Sequence, residues 1–367
     1  MVKGEKMNFI ITKFMYPIKE KMEVLRDYYF DNPRTTEEIK YVADIIRKST
    51  PFPPNDRLAG KEGFITLDFV IEKFKNKYAN DKYVGEFVEN ARYKDSCYKI
   101  ASMWVILRFK EDFPKYEYDK VIESAKNYID TITLLSFNIY NYAEFSILVT
   151  DEYYYTNNEM LYHQVQNAII ELIVEATNKK SDNKKEEYRF NGFAFYYDNI
   201  IEVAKQLREF EEPETIQYIT ECIQCLRKNY DLKMKFVSIV SIIELLLTHS
   251  PNTNRYNVED SISKQFKNKV ALITYLNDKS QEYENIIKEC NLIYSLRSDI
   301  AHGNFQQLDK DLKKYFNFYK EKYSSIRGEY DSIYTMDKLI CRALNYMIIV
   351  FKEYLNDYKL LRIVKEI

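Results

Sequence analysis

The chain has 367 residues, of which 46% are hydrophobic, enough to support a substantial core in more than one domain. Only 7 Gly and 8 Pro leave few helix breakers, so a mainly α protein is expected. Lys and Arg number 54 against 56 Asp and Glu, which excludes a generally basic coat for nucleic acid and confines any such site to a local patch.

In chain order, Phe9-Ile-Ile-Thr12 reads as a short strand or helix start, followed by charged helices through Arg26 and Ile45. Pro51-Phe-Pro-Pro54 cannot be helix interior and predicts a loop. Gly60 and Gly63 follow without the strand–glycine–helix pattern of a phosphate-binding loop. Helices are expected over 65–79, 83–108 and 118–142, then one strand within Phe145–Thr156, where β-branched and aromatic residues concentrate. A second strand pair is expected around the polar loop Thr177–Glu187, itself read as a solvated tip. Helices resume at Ile200–Phe210 and Glu214–Asn229. This gives an N-terminal, mostly helical region with a few β-strands over 1–227, read as sensory or regulatory, and a helical domain over 228–367.

The 34 tyrosines occur with abundant Ile, Lys, Asn and Phe, the mark of A/T-rich coding rather than of a base-stacking surface. No signal peptide is recognisable, the most apolar run (236–247) is too short to span a bilayer, and the five cysteines form no disulfide framework. A cytoplasmic location without membrane partners is expected. Cys222-Ile-Gln-Cys225 has no second pair or histidine at zinc-finger spacing, so no metal is assigned to it. His163 and His249 read as structural.

The chemistry concentrates in Leu296-Arg297-Ser298-Asp299-Ile300-Ala301-His302-Gly303. Arginine offers a permanent planar donor fork for phosphate, and histidine exchanges protons near neutral pH. The run Ile286–His302 is amphipathic, with Ile286, Leu292, Ile293, Leu296 and Ile300 apolar, and Gly303 is suited to a left-handed helix end. Five residues carry a helix about 140° past a full turn, so Arg297 and His302 share a face only if the helix frays near Ala301. Asp299 is placed either to orient His302 or as a solvated acid, and Ser298 either to touch phosphate or to bond back to its helix. Glu244, inside an apolar run, needs water or a cation such as Arg297. Lys310, Lys313 and Lys314 read equally as a steering patch and as a solvated helix face.

The segment 292–303 resembles the signature of Apea-like HEPN domains, an Arg, four to six residues, then His. Phe236–Thr248 is similar to that family's first long helix, with its single glutamate, and Ile262–Ile273 to its second. The resemblance spans about 228–360. It implies a helical domain that commonly dimerises, bringing two Arg/His pairs into one cleft, in metal-independent RNases often found in toxin or anti-phage systems; other members only bind. Arg297 and His302 would then be catalytic, supported by Glu244, Ser298 and Asp299, with RNA as partner and no cofactor. Ser298 stands where many members have Asn, Asp or His. Asn304 occupies the position of a tyrosine that is modified in a related toxin group. The expected reaction is endonucleolytic cleavage leaving 2′,3′-cyclic phosphate ends; the alternatives are a non-catalytic RNA- or protein-binding module and a purely structural dimerisation protein.

Overall fold

The computed structural model describes residues 9–19, 21–25, 28–49, 58–60, 63–65, 67–77, 79–89, 95–109, 127–128, 131–132, 134–136, 148–149, 197–229, 231–250, 261–323 and 329–366. The protein is mainly α, with a small β component towards the N-terminus. The chain separates into two compact units, one built from the described residues up to Arg208 and the other from those starting at Glu209.

The first unit holds an antiparallel five-stranded sheet ordered β2-β3-β6-β1-β7. Its strands are β1 (Phe9–Met15), β2 (Met22–Leu25), β3 (Tyr28–Asp31), β6 (Trp104–Phe109) and β7 (Leu148–Val149). A separate two-stranded pair is made by β4 (Leu58–Gly60) and β5 (Gly63–Ile65). The helices are α1 (Thr36–Ser49), α2 (Leu67–Lys77), α3 (Lys82–Glu89), α4 (Ser96–Met103) and α5 (Tyr197–Arg208). A reciprocal capping box starts α1: Thr35 Oγ1 accepts the Glu38 N–H, and Glu38 Oε2 accepts the Thr35 N–H.

Two stretches expected as helix are strands. Around Arg26, residues 22–25 and 28–31 pair antiparallel, and β2 lies at the sheet edge. Charge on an edge strand discourages further pairing and imitates the charge of a solvated helix. The helix expected over 83–108 ends at Met103, and Trp104-Val-Ile-Leu-Arg-Phe109 is the strand between β3 and β1. Five of its six residues are buried, consecutively from Trp104 to Leu107, so the run is apolar without helical period. The strand expected within 145–156 is present at Leu148–Val149, and the 118–142 helix is seen at 127–128, 131–132 and 134–136. The loop over 51–57, the strand pair around 177–187 and His163 lie outside the described residues.

The second unit is helical: α6 (Pro213–Lys228), α7 (Leu232–Leu247), α8 (Ile262–Asn277), α9 (Tyr283–Ala301), α10 (Phe305–Tyr323), α11 (Ser332–Asn356) and α12 (Tyr358–Glu366). Asp231, Ser261 and Asp331 cap α7, α8 and α11, each accepting a backbone N–H three residues on. The unit begins before residue 228 because Glu212 accepts hydrogen bonds from Tyr354 and Tyr358, and Phe210 packs on Tyr354 at 5.2 Å. At its other end Lys365 Nζ donates to Leu245 O and Lys269 Nζ to Lys365 O, both at 2.8 Å, tying α12 to α7 and α8.

Inside this unit lies a carboxylate that the sequence reading did not single out. Glu289 is 1% exposed and accepts five hydrogen bonds. They come from Arg342 Nε (3.0 Å) and Nη2 (2.8 Å), Tyr315 (3.1 Å), Tyr323 (3.0 Å) and Tyr346 (2.7 Å). Burial alone would raise its carboxyl, but the Arg342 guanidinium and these donors outweigh burial and hold it below the ordinary range. The cluster locks α9 to α10 and α11.

Candidate functional site

Helix α9 ends as the glycine predicts. Gly303 has φ 69°, its N–H donates to Ile300 O at 3.2 Å, and the Asn304 N–H reaches back to Asp299 O at 2.8 Å. This is a Schellman closure with His302 as the C-cap. The helix does not fray before it: the His302 N–H still bonds Ser298 O at 3.0 Å. Arg297 and His302 therefore leave α9 on different sides, and among the described residues no hydrogen bond joins them.

Each half of the pair has a distinct setting. Arg297 donates from Nη2 to Glu244 Oε2 at 2.9 Å, with side chains 24% and 14% exposed. Its guanidinium lies 5.9 Å from the Tyr294 ring, and its buried Nε has no hydrogen-bond partner among the described residues. The cation expected for Glu244 is thus Arg297, presented by α9 against the last full turn of α7. His302 is exposed, and no described side chain engages its ring.

Asp299 takes neither expected role. It is 8% exposed and lies near the Asp311 carboxyl of α10, and its buried Oδ2 has no hydrogen-bond partner among the described residues. Burial, then the neighbouring Asp311, pushes the Asp299 carboxyl up. Asp311 is held down despite its burial by hydrogen bonds from Lys314 and Gln307. The Ser298 hydroxyl, half-buried, makes no hydrogen bond among the described residues, so the back-bond weighed for it is not formed. Lys313 and Lys314 are paired with Asp309 (2.7 Å) and Asp311 (2.6 Å), which neutralises most of the downstream basic face.

The corner between α9 and α10 touches α7 at a second place, where Lys233 Nζ sits 4.9 Å from the centre of the Phe305 ring. Phe305 is itself 60% exposed. Along the stretch of α7 bounded by Lys233 and Glu244, Ser238 and Ser241 face a groove of 520 Å³ shared with Tyr218 and Cys222 of α6. Cys222 and Cys225 are free thiols, and burial raises that of Cys222. His249 has a local structural setting, its N–H donating to Gln265 Oε1 and its Nδ1 2.9 Å from Ser250 O. Among the described residues, no group of three or more His, Cys, Asp or Glu is arranged to hold a metal ion, and no helix is long and apolar enough to cross a membrane.

Asp311, Glu289 and Arg342 were missed from sequence. For Glu289 a signal existed: it falls between Ile286 and Ile293 on the buried stripe of α9, where an acid requires a cation just as Glu244 does. That stripe runs through Glu289, Cys290 and Asp299, while Leu292 and Ile300 are only half-buried. No family model matches the chain, and no curated protein or solved structure is similar to it.

Proposed function

We propose that the second unit is a metal-independent endoribonuclease that works as a homodimer through Arg297 and His302, as the resemblance to Apea-like HEPN domains implies. One observation carries the reading. A capped helix end carries an exposed imidazole that no described side chain engages, five residues after an arginine that Glu244 anchors and whose buried Nε has no partner among the described residues.

The chemistry follows from what these groups can do. A ribose 2′-oxygen attacks its own 3′ phosphorus while its proton passes to a neutral imidazole. The bond from phosphorus to the 5′ oxygen breaks, and that oxygen takes a proton from an imidazolium. The products are a 2′,3′-cyclic phosphate and a 5′ hydroxyl. One histidine cannot be free base and acid at the same moment, and a single chain supplies one exposed imidazole at this corner. A second copy provides the other. Arg297 neutralises the charge gathering on the phosphoryl oxygens, with Glu244 fixing its direction.

The test is RNA cleavage in EDTA by the wild-type chain and by Arg297→Ala and His302→Ala. Loss of about 10²–10⁴-fold in each variant, with unchanged helicity and cyclic phosphate ends, is expected. Absence of wild-type cleavage on any cellular RNA overturns the reading. The Glu244–Arg297 ion pair itself favours a second reading, a binding module in which the arginine is already compensated. That alternative predicts RNA or protein capture without product.

A further inference from the structure

We propose that the groove between α6 and α7 holds a nucleobase of the RNA strand, guanine by preference, next to the phosphate at Arg297 and His302. This rests on the ribonuclease reading of that site.

The groove's volume of 520 Å³ falls in the range of about 300–1,000 Å³ typical of pockets that enclose small organic groups. It exists because its floor is built of small side chains, Cys222 of α6 and Ser238 and Ser241 of α7, so the two helices leave a slot between them. The slot has an exposed aromatic wall in Tyr218 (55% exposed) and an aliphatic one in Leu245 (38%). A slot with an aromatic wall suits a flat heterocycle, which stacks with little demand on sequence.

Selectivity comes from Glu244, which lines the groove and also holds Arg297. A carboxylate only accepts hydrogen bonds, so it favours a base edge rich in N–H donors. Guanine presents two adjacent donors on its Watson–Crick edge, and uracil one. The nearby Lys365 ammonium lines the groove as well, but its Nζ is engaged by Leu245 O.

Position supports the same occupant. The α9–α10 corner is fastened to α7 at Lys233 through Phe305 and at Glu244 through Arg297. These anchor points lie about 16 Å apart along the helix axis. Glu244 both lines the groove and holds Arg297, so the base slot borders the arginine end of this corner. A strand whose phosphate meets Arg297 has one base within reach of the slot.

The experiment measures binding of 2′-O-methyl octanucleotides, which lack the attacking hydroxyl, to the full chain in EDTA. One probe is all uridine, and the other carries a single central guanosine. Wild type should bind the guanosine probe about tenfold more tightly, and Tyr218→Ala should remove most of that preference. Ser241→Trp, which fills the slot, should abolish it; Tyr218 is exposed enough that its substitution tests the idea even if the tryptophan variant misfolds. Equal affinity for both probes, or a preference that survives both variants, overturns the proposal. Should Ser241→Trp instead split a dimer and leave the preference intact, the groove seats a second copy and the nucleobase proposal falls. A preference lost in the variants, in a wild-type chain that cleaves no RNA, refutes the nuclease and supports the base site. Cleavage by a chain whose preference ignores the groove does the reverse.

Discussion

Helix α9 contributes one residue to each of two glutamate–arginine pairs, and they differ in burial and in how fully they are satisfied. Glu289 meets Arg342 through two parallel hydrogen bonds and is saturated by three tyrosine hydroxyls, with almost no exposure. Arg297 meets Glu244 through one hydrogen bond in a partly exposed setting and keeps a buried Nε unmatched among the described residues, while Glu244 also lines the groove. A buried ion pair is tolerable only when every lone pair and proton is satisfied, whereas a group meant to bind must keep something unsatisfied. Completeness suits the first pair to fastening, and incompleteness is what the proposed function requires of the second.

The sharpest way to break this contrast is to remove one acid from each pair. Glu289→Ala leaves a buried guanidinium without its anion and should cost about 3–5 kcal/mol in denaturant unfolding. The wild-type contribution of Glu289 should also fade under acid, because its depressed carboxyl stabilises the fold above the unfolded carboxyl pKa and loses that effect as pH falls through the folded value. Glu244→Ala should cost only about 1.5 kcal/mol, since its pair is partly solvated, while RNA cleavage falls through loss of arginine alignment. Equal destabilisation by the two variants would erase the distinction.

Smaller effects sharpen it further. Gly303→Ala introduces no collision, as nothing lies within 4 Å of a built Cβ, but φ 69° strains any other residue. A loss of about 1 kcal/mol in thermal unfolding is expected, with weaker cleavage because His302 caps that turn. Asp299→Asn removes a buried titrating carboxyl near Asp311. The raised Asp299 carboxyl supports folding below the unfolded aspartate pKa and loses that support as pH rises through its folded value. The variant should therefore gain on wild type as pH rises through that window, by about 2–4 °C in Tm.

Much of the second unit is readable from residue spacing. The apolar run with one glutamate and the glycine after His302 each have a local physical cause, and each element appears where that cause acts. The Glu244–Arg297 contact was legible because a carboxylate in an apolar stripe demands a cation. Three things were not. Trp104–Phe109 is apolar at consecutive positions, which suits a strand covered on both faces as well as a buried helix; only its sheet partners decide. Asp299 reads either as an orienter of His302 or as a solvated acid, because its neighbour Asp311 lies twelve residues on and across a turn. The groove arises from small residues on two helices whose packing no spacing reveals.

The central claim is that two copies of this corner share one scissile phosphate, each supplying a histidine. Mixing wild-type and His302→Ala chains in equal amounts, with subunit exchange, tests it through the rate of RNA cleavage per total chain. If each dimer needs both imidazoles, only wild-type pairs act and the rate falls to about a quarter of that of pure wild type at the same total concentration. A rate of about half would mean that each chain cleaves alone, and the shared-site account would be wrong.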